Sequence, residues 1–333
     1  MVREALRVSE RARAGGARWS VLYDAALIAY EGHDHRRSVE LSRVALDLSR
    51  EIGNRVNESN AHKILGIALW SCWQIPESIE QLRESARLAQ ELGLMQAFQG
   101  AACDLGAVLI PVGDFESGVQ WSGSALKSHS AAVAAVATVN IAEAEYLRGD
   151  LDALSAALED AASPVARLPE SRFRSAFLQA EGRLLRCRRR WDASLAKLEE
   201  AFSLDERLGR WENAAQELDD LALTYLGAKR YAEAARALQR GAALVRDRPR
   251  PDEVHHRWIE ACVHRAAGDR EPARTAVRAA HEAYEAKRAA LGDAKLQACF
   301  EAIRVHRAIC FAYEHDEWPP PDTPCVVALP RRD

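Results

Sequence analysis

The side chains best suited to chemistry in this chain are two histidine pairs, a doublet of aspartates and a run of arginines. His33 with His35, and His255 with His256, Cys262 and His264, offer the imidazole nitrogens and thiolates that a borderline-soft divalent metal prefers. Metal ligands on one helix recur at three or four residues with a carboxylate between, as in HExxH, and none of these groups does so. They read as turn or surface histidines, and no metal is expected. Asp219 and Asp220 are adjacent in a helical pattern and diverge by about 100°, a poor placement for sharing a proton or an ion. Arg183, Arg186, Arg188, Arg189 and Arg190, ahead of Trp191, could dock an acidic peptide or nucleic acid. They read more readily as a solvated helix end whose cations meet the C-terminal dipole, with Arg183 and Arg186 the better placed for docking.

Motif chemistry is otherwise missing. The sequence holds no GxxxxGK[ST], no GxGxxG after a strand pattern and no GxSxG, so neither a nucleotide cofactor nor an enzyme is expected. The seven cysteines are never closer than eleven residues, which indicates neither a disulfide framework nor a CxxC metal site. A formal charge of −4 gives no global attraction to nucleic acid or an acidic membrane. The charged N-terminus and the lack of any run of eighteen apolar residues read as a cytoplasmic protein without a membrane span.

The elements that position these residues emerge from a period of about forty. Ala26, Gly66, Gly106, Ala142, Gly182, Ala222 and Ala261 are spaced by 40, 40, 36, 40, 40 and 39 residues. Twelve beyond each lies a second mark, at Ser38, Ser78, Gly118, Leu154, Ser194, Ala234 and Ala273. Seven further lies a third, at Ala45, Ser85, Ala125, Ala161, Ala201, Gly241 and Ala280. Only Leu154 is large, and small residues at fixed spacing let paired helices approach closely. Between the first two marks, phrases such as PVGDFESG at 111–118 and AAGDREPA at 266–273 end one helix and cap the next. Glycines in REIGN, QELGL and ERLGR mark the exits between repeats.

These marks, with Leu65-Gly66, Leu105-Gly106, the aromatics Tyr30, Trp70 and Tyr146 and the turn Gly113-Asp114-Phe115, resemble the long, roughly forty-residue tetratricopeptide repeat of large bacterial regulators. The resemblance implies an all-α, right-handed α-α superhelix over residues 1–318. Its seven pairs are expected near 17–53, 55–93, 95–129, 131–163, 170–209, 211–247 and 252–291. The fourth repeat departs most, in its spacing and at Leu154. The resemblance also implies that first helices line the concave face, at six and three residues before each anchor and one, four and five after. Those positions hold Tyr23, Asn60, Lys63, Trp70, Glu143, Gln179, Arg183, Arg186, Gln216, Asp219, His255 and Trp258, besides Tyr30, Tyr146 and Arg265. Aromatics mixed with amides and charges can grip a peptide. Tyr30, Trp70 and Tyr146 could instead pack between pairs. Lys63 sits where carboxylate-clamp members carry a lysine, yet Ile67 replaces their asparagine, so binding of chaperone C-termini is not expected.

At the N-terminus, residues 3–13 match a second helix without its first, which reads as the continuation of a longer polypeptide or as a capping helix. Residues 294–315 read as one capping helix that covers the last repeat, resembling the closing helix of repeat regions in ATP-dependent LuxR-family activators, cyclases and multidomain kinases. WPPPDTPCVVALP, with five prolines in 319–330, makes 319–333 an extended tail. The functional expectation is a protein-interaction scaffold or effector-sensing module of a bacterial signalling or transcription regulator. It would bind a protein or peptide, or a small-molecule effector, on the concave face. RNA binding would require a basic groove, which Glu143 and Asp219 interrupt.

Overall fold

The computed structural model describes residues 15–168, 170–246, 252–315 and 318. Among them the regular elements are sixteen α-helices, and no strand occurs. Fourteen form seven pairs: α1 (Gly15–Glu31) with α2 (His35–Glu51), α3 (Arg55–Ser71) with α4 (Ile75–Glu91), α5 (Met95–Leu109) with α6 (Phe115–Gly123), α7 (Ala131–Arg148) with α8 (Leu151–Ala166), α9 (Arg172–Cys187) with α10 (Trp191–Arg207), α11 (Trp211–Gly227) with α12 (Tyr231–Leu244), and α13 (Glu253–Ala267) with α14 (Arg270–Ala290). Two short helices follow, α15 (Ala294–Ala302) and α16 (Arg304–His315). The expected half-repeat at 3–13 and the tail at 319–333 lie outside the described residues. No described helix is long and apolar enough to cross a membrane.

Close approach within each pair explains the small-residue marks, and all twenty-one are buried. A Cβ on Gly66 would sit 2.6 Å from Leu82 Cγ, and one on Gly182 would sit 2.7 Å from Leu198 Cγ. The serines at the second mark do more than stay small. Ser38, Ser78 and Ser194 each donate a hydroxyl proton to the carbonyl of their anchor, Ala26, Gly66 and Gly182, at 2.9, 2.7 and 2.7 Å. Leu154 is accommodated because it packs in one cluster with Ala135 and Ala142, which leave it room.

Each pair turns the same way. Seven residues after the anchor stand His33, Trp73, Gly113, Gly149, Arg189, Lys229 and Gly268, all with positive φ. In every case the next amide reaches back to the carbonyl five residues earlier, for example Asp34 N to Ala29 O at 2.9 Å and Asp269 N to His264 O at 2.9 Å. This is a Schellman ending, and four non-glycine residues tolerate its left-handed position. Asp34, Asp114 and Asp150 then cap the following helix through their side chains.

Two expectations need correction. The 36-residue spacing does not disturb the fourth pair; it shortens α6 of the third to nine residues, after which Ala125 stays buried in a turn. The closing helix is not continuous either. Ile303 adopts extended backbone, with φ −60° and ψ 129°, and buries its side chain between α15 and α16. The His306 ring donates Nδ1–H to the Phe300 carbonyl at 2.7 Å and so satisfies a group freed by the break.

These helices also reach well beyond the last repeat. Lys295 pairs with Asp114 at 3.3 Å, and a Cβ on Gly113 would stand 2.2 Å from the Cys299 carbonyl oxygen. Arg304 lies against Gly149, while Trp73 Nε1 donates to the Lys287 carbonyl at 3.1 Å and its ring lies 6.0 Å from that of Phe300. The turn of the first pair meets the start of α11 in the sixth, where His33 and His35 face Glu212. The superhelix thus returns on itself after about five pairs.

Candidate functional site

Each first helix touches the first helix of the next pair, and consecutive second helices make no comparable contact, so α1, α3, α5, α7, α9, α11 and α13 crowd the inner side. On α7, α9 and α11 that face carries a chain of buried charge. Asp220 accepts from Arg183 Nε at 2.8 Å, from Arg186 Nη2 at 2.9 Å and from Gln179 Nε2 at 3.0 Å. Arg183 also pairs with Glu143 on α7, and Arg186 donates to Tyr146 Oη at 2.7 Å. Burial pushes the Asp220 carboxyl up, but the two guanidiniums outweigh it and hold it below the usual carboxylate range. Asp219 turns the other way and pairs with His256 on α13 at 2.9 Å. The two aspartates serve neighbouring pairings, as their divergence on the helix demands.

One step outward lies a carboxyl pair. Ser175 donates to Asp205, and its oxygen lies 3.1 Å from Glu217 Oε1. Burial and the proximity of Asp205 push the Glu217 carboxyl up to about 10, so it is protonated at neutral pH. A hydroxyl has a single proton; protonated Glu217 donating to Ser175, which donates to Asp205, completes a consistent chain.

On the inner face of the first three pairs the charge pairing is looser. Lys63 Nζ lies 3.5 Å from Asp104 Oδ2, with 36% of the lysine side chain exposed. Burial raises the Asp104 carboxyl against the pull of Lys63, and Arg172 on α9 contributes across the superhelix. Tyr23 stacks on Trp19 at 4.8 Å, and burial, opposed by Lys63, raises its phenol.

The twelve inner-face positions therefore divide. Tyr23, Asn60, Lys63, Trp70, Glu143, Arg183, Gln216 and His255 are half-buried. Gln179, Asp219, Arg186 and Trp258 are buried, Arg186 fully. Arg186 and Trp258 are thus corrected: the first is consumed by Asp220 and Tyr146, the second by the core beneath α15 and α16, with its ring stacked on Trp318 at 5.6 Å. Tyr146 is buried in packing between pairs, whereas Tyr30 and Trp70 are half-buried against the core. His255 pairs with Asp252 at 2.7 Å beneath the ring of His306. Burial, reinforced by His255, pushes the His306 imidazole down to about 3.

Asp104, Asp220 and Glu212 escaped the inner-face pattern. Asp104 and Asp220 stand two before their anchors, an offset left out of the set, and each follows its partner by 41 residues: Lys63 to Asp104, Gln179 to Asp220. Complementary groups one period apart were the available signal. Glu212 has no such signal, because it meets His33 and His35 across a superhelical turn.

Neither a family model nor a curated protein matches the chain. Solved structures do. The apo form of RapI superposes with a TM-score of 0.63 at 11% identity, over 82% of this chain and 98% of that one. The apo form of the quorum sensor NprR from B. thuringiensis gives 0.52 at 12% identity, over 87% and 86%. The tetratricopeptide repeat sensor protein PH0952 from Pyrococcus horikoshii, a signal-transduction ATPase with numerous domains, gives 0.51 at 11% identity, over 90% of this chain and 46% of that one. The chain folds as a tetratricopeptide-like helical repeat protein.

Proposed function

We propose that this chain is a non-catalytic sensing or interaction module of a regulator, which takes a peptide or protein segment on the inner face of its superhelix. The observation that carries the reading is the contrast between the two halves of that face. From α9 to α13 the charges form a linked ladder at 2.8–3.0 Å, whereas Lys63, beside Tyr23, Asn60 and Trp70, faces Asp104 at 3.5 Å, a looser pair that a ligand could re-pair. With more than a third of its side chain exposed, Lys63 can reach a ligand carboxylate from its place beside Asp104. Two of the structural neighbours are described as sensors, which supports a sensing role. The alternation of Lys63 with Asp104 and of Arg183 with Glu143 argues against a nucleic-acid groove. The output domain would lie on another chain or on a further segment of the same polypeptide.

Selection from a displayed random-peptide library tests this. The wild type should enrich peptides whose binding is lost in a Tyr23→Ala, Lys63→Glu variant of unchanged helicity. Enrichment that survives in the variant would move the site elsewhere, and no enrichment would sink the peptide-binding reading in favour of a small-molecule effector.

A further inference from the structure

The turn of the first pair does with two histidines what a helix could not. Residues two apart on a helix point about 200° apart. Here His33 sits at the left-handed position, φ 60°, and His35 opens α2, so both rings converge on Glu212 at the start of α11. His33 Nδ1 lies 3.2 Å and His35 Nε2 3.5 Å from the same Glu212 Oε1. Nitrogen to oxygen at 3.5 Å is the outer edge of hydrogen bonding. Bonds of about 2.0–2.2 Å to a tetrahedral ion place neighbouring ligand atoms about 3.3–3.6 Å apart. The two imidazole-to-carboxylate separations are close to those of ligands sharing one ion, and all three ligand atoms lie within 4.8 Å of one another. His33 Nδ1 is, moreover, a buried atom whose 3.2 Å approach to Glu212 Oε1 lacks good hydrogen-bond geometry.

We propose that His33, His35 and Glu212 form a three-ligand site for a divalent transition ion of the zinc type, with water in the fourth position. The donor set decides the ion: two imidazoles and one carboxylate suit zinc, whereas calcium and magnesium require mostly oxygen. Side-chain exposures of 28%, 18% and 27% admit a hydrated ion yet shelter it, and Trp211 and Tyr30 wall the site at 5.1 and 5.4 Å from His33 and His35. The ligands are 177 residues apart, so occupancy ties the first pair to the sixth and fixes the pitch of the superhelix.

The test uses the full chain stripped with chelator. Calorimetric titration should show one equivalent of Zn2+, and Co2+ should develop the intense visible absorption of tetrahedral coordination. Glu212→Gln and His35→Ala, each first shown by circular dichroism to be as helical as wild type, should each lose that equivalent at least tenfold in affinity. His33→Asn, which tolerates the left-handed backbone, should do the same. Hydrogen exchange with Zn2+ should slow at 30–36 and 208–214 together. No stoichiometric binding by the wild type overturns the site and leaves plain histidine–carboxylate pairs. Binding unchanged in these variants, or protection elsewhere, assigns the ion to other imidazoles or thiols and equally overturns it. Should one variant fail to fold, the others and the wild-type Co2+ spectrum still decide.

Discussion

Replacing Asp220 by Asn isolates the charge that holds the fifth and sixth pairs together. The amide keeps the shape of the carboxylate but cannot neutralise two guanidiniums. Arg183 would retain Glu143, which is partly exposed, while Arg186, fully buried, would lose the Asp220 carboxylate and keep its bonds to Tyr146, Thr224 and the carbonyl of residue 220. Removing one member of a buried ion pair typically costs about 3–5 kcal/mol, because an uncompensated charge stays in the interior. In a repeat array the loss falls on one interface rather than on the whole molecule. Amide exchange on α9 and α11 should therefore accelerate by about 10²- to 10³-fold, while α1 to α4 stay near wild type. A second variant removes the buried triad and leaves only the partly exposed Glu143: Arg183→Met, Arg186→Met, Asp220→Leu should come within about 2 kcal/mol of wild type, since apolar replacement of a whole buried triad is often neutral. Hydrogen exchange and urea unfolding followed by circular dichroism read both. If Asp220→Asn costs under about 1 kcal/mol, or the triple variant is the worse of the two, the ladder is not held by charge compensation and the reasoning fails.

Glu217 sets a pH dependence of opposite sign to that of an ordinary carboxylate. Its folded pKa is raised to about 10, so folding takes up a proton, and the contribution is complete below about pH 4.5 and is lost as pH rises through about 10. Urea midpoints should fall across that window by up to about 1.4 kcal/mol per unit, and Glu217→Gln should remove this slope; a variant with the wild-type slope counts against the protonated pair. The anchors make a steric prediction. A Cβ at Gly106 would lie 2.1 Å from Ser122 Oγ and 2.9 Å from the Gly118 carbonyl, whereas at Gly182 it meets chiefly the Leu198 side chain, at 2.7 Å. Both alanine variants should lose about 1–3 kcal/mol in urea unfolding, Gly106→Ala the more because backbone cannot step aside, and the reverse order would contradict the close-approach account.

The repeat was legible because close helix approach constrains residue size at fixed spacing, and size survives in any single sequence. The anchors mark where α1, α3, α5, α7, α9, α11 and α13 pass nearest their partners. The inner face was legible only in part, since helical offset says which way a side chain points and not whether a neighbour covers it. Arg186 points inward as its offset requires, and is buried by Asp220 and Tyr146 from the adjoining pairs. Trp258 points inward too, and is covered by helices that break at Ile303 and fold back over it. Contacts between superhelical turns, such as His35 with Glu212, leave no periodic trace, because they depend on curvature summed over five pairs.

That curvature depends in part on weaker forces than those within the pairs. Within a pair, apolar side chains and glycines interlock, and a change of one methyl group is resisted. Between turns, one apolar cluster joins Ile75 and Val112 of the second and third pairs to Phe300 and Ile303, and polar contacts add to it: His35 with Glu212, Lys295 with Asp114, and Trp73 with the Lys287 carbonyl. Each polar contact contributes about 1 kcal/mol. Pitch is softest where the first pair meets the sixth, since among the described residues their apolar clusters stay separate. Under the proposed reading, a segment entering beside Lys63 either fits the existing turn or spreads it, and spreading separates contacts that lie 177 and 214 residues apart in the chain. A ligand of a few kcal/mol differential affinity suffices to move such an equilibrium. An ion at His33, His35 and Glu212 would act on the same coordinate from the other side, so zinc and a peptide should either help or oppose one another with equal strength in both directions.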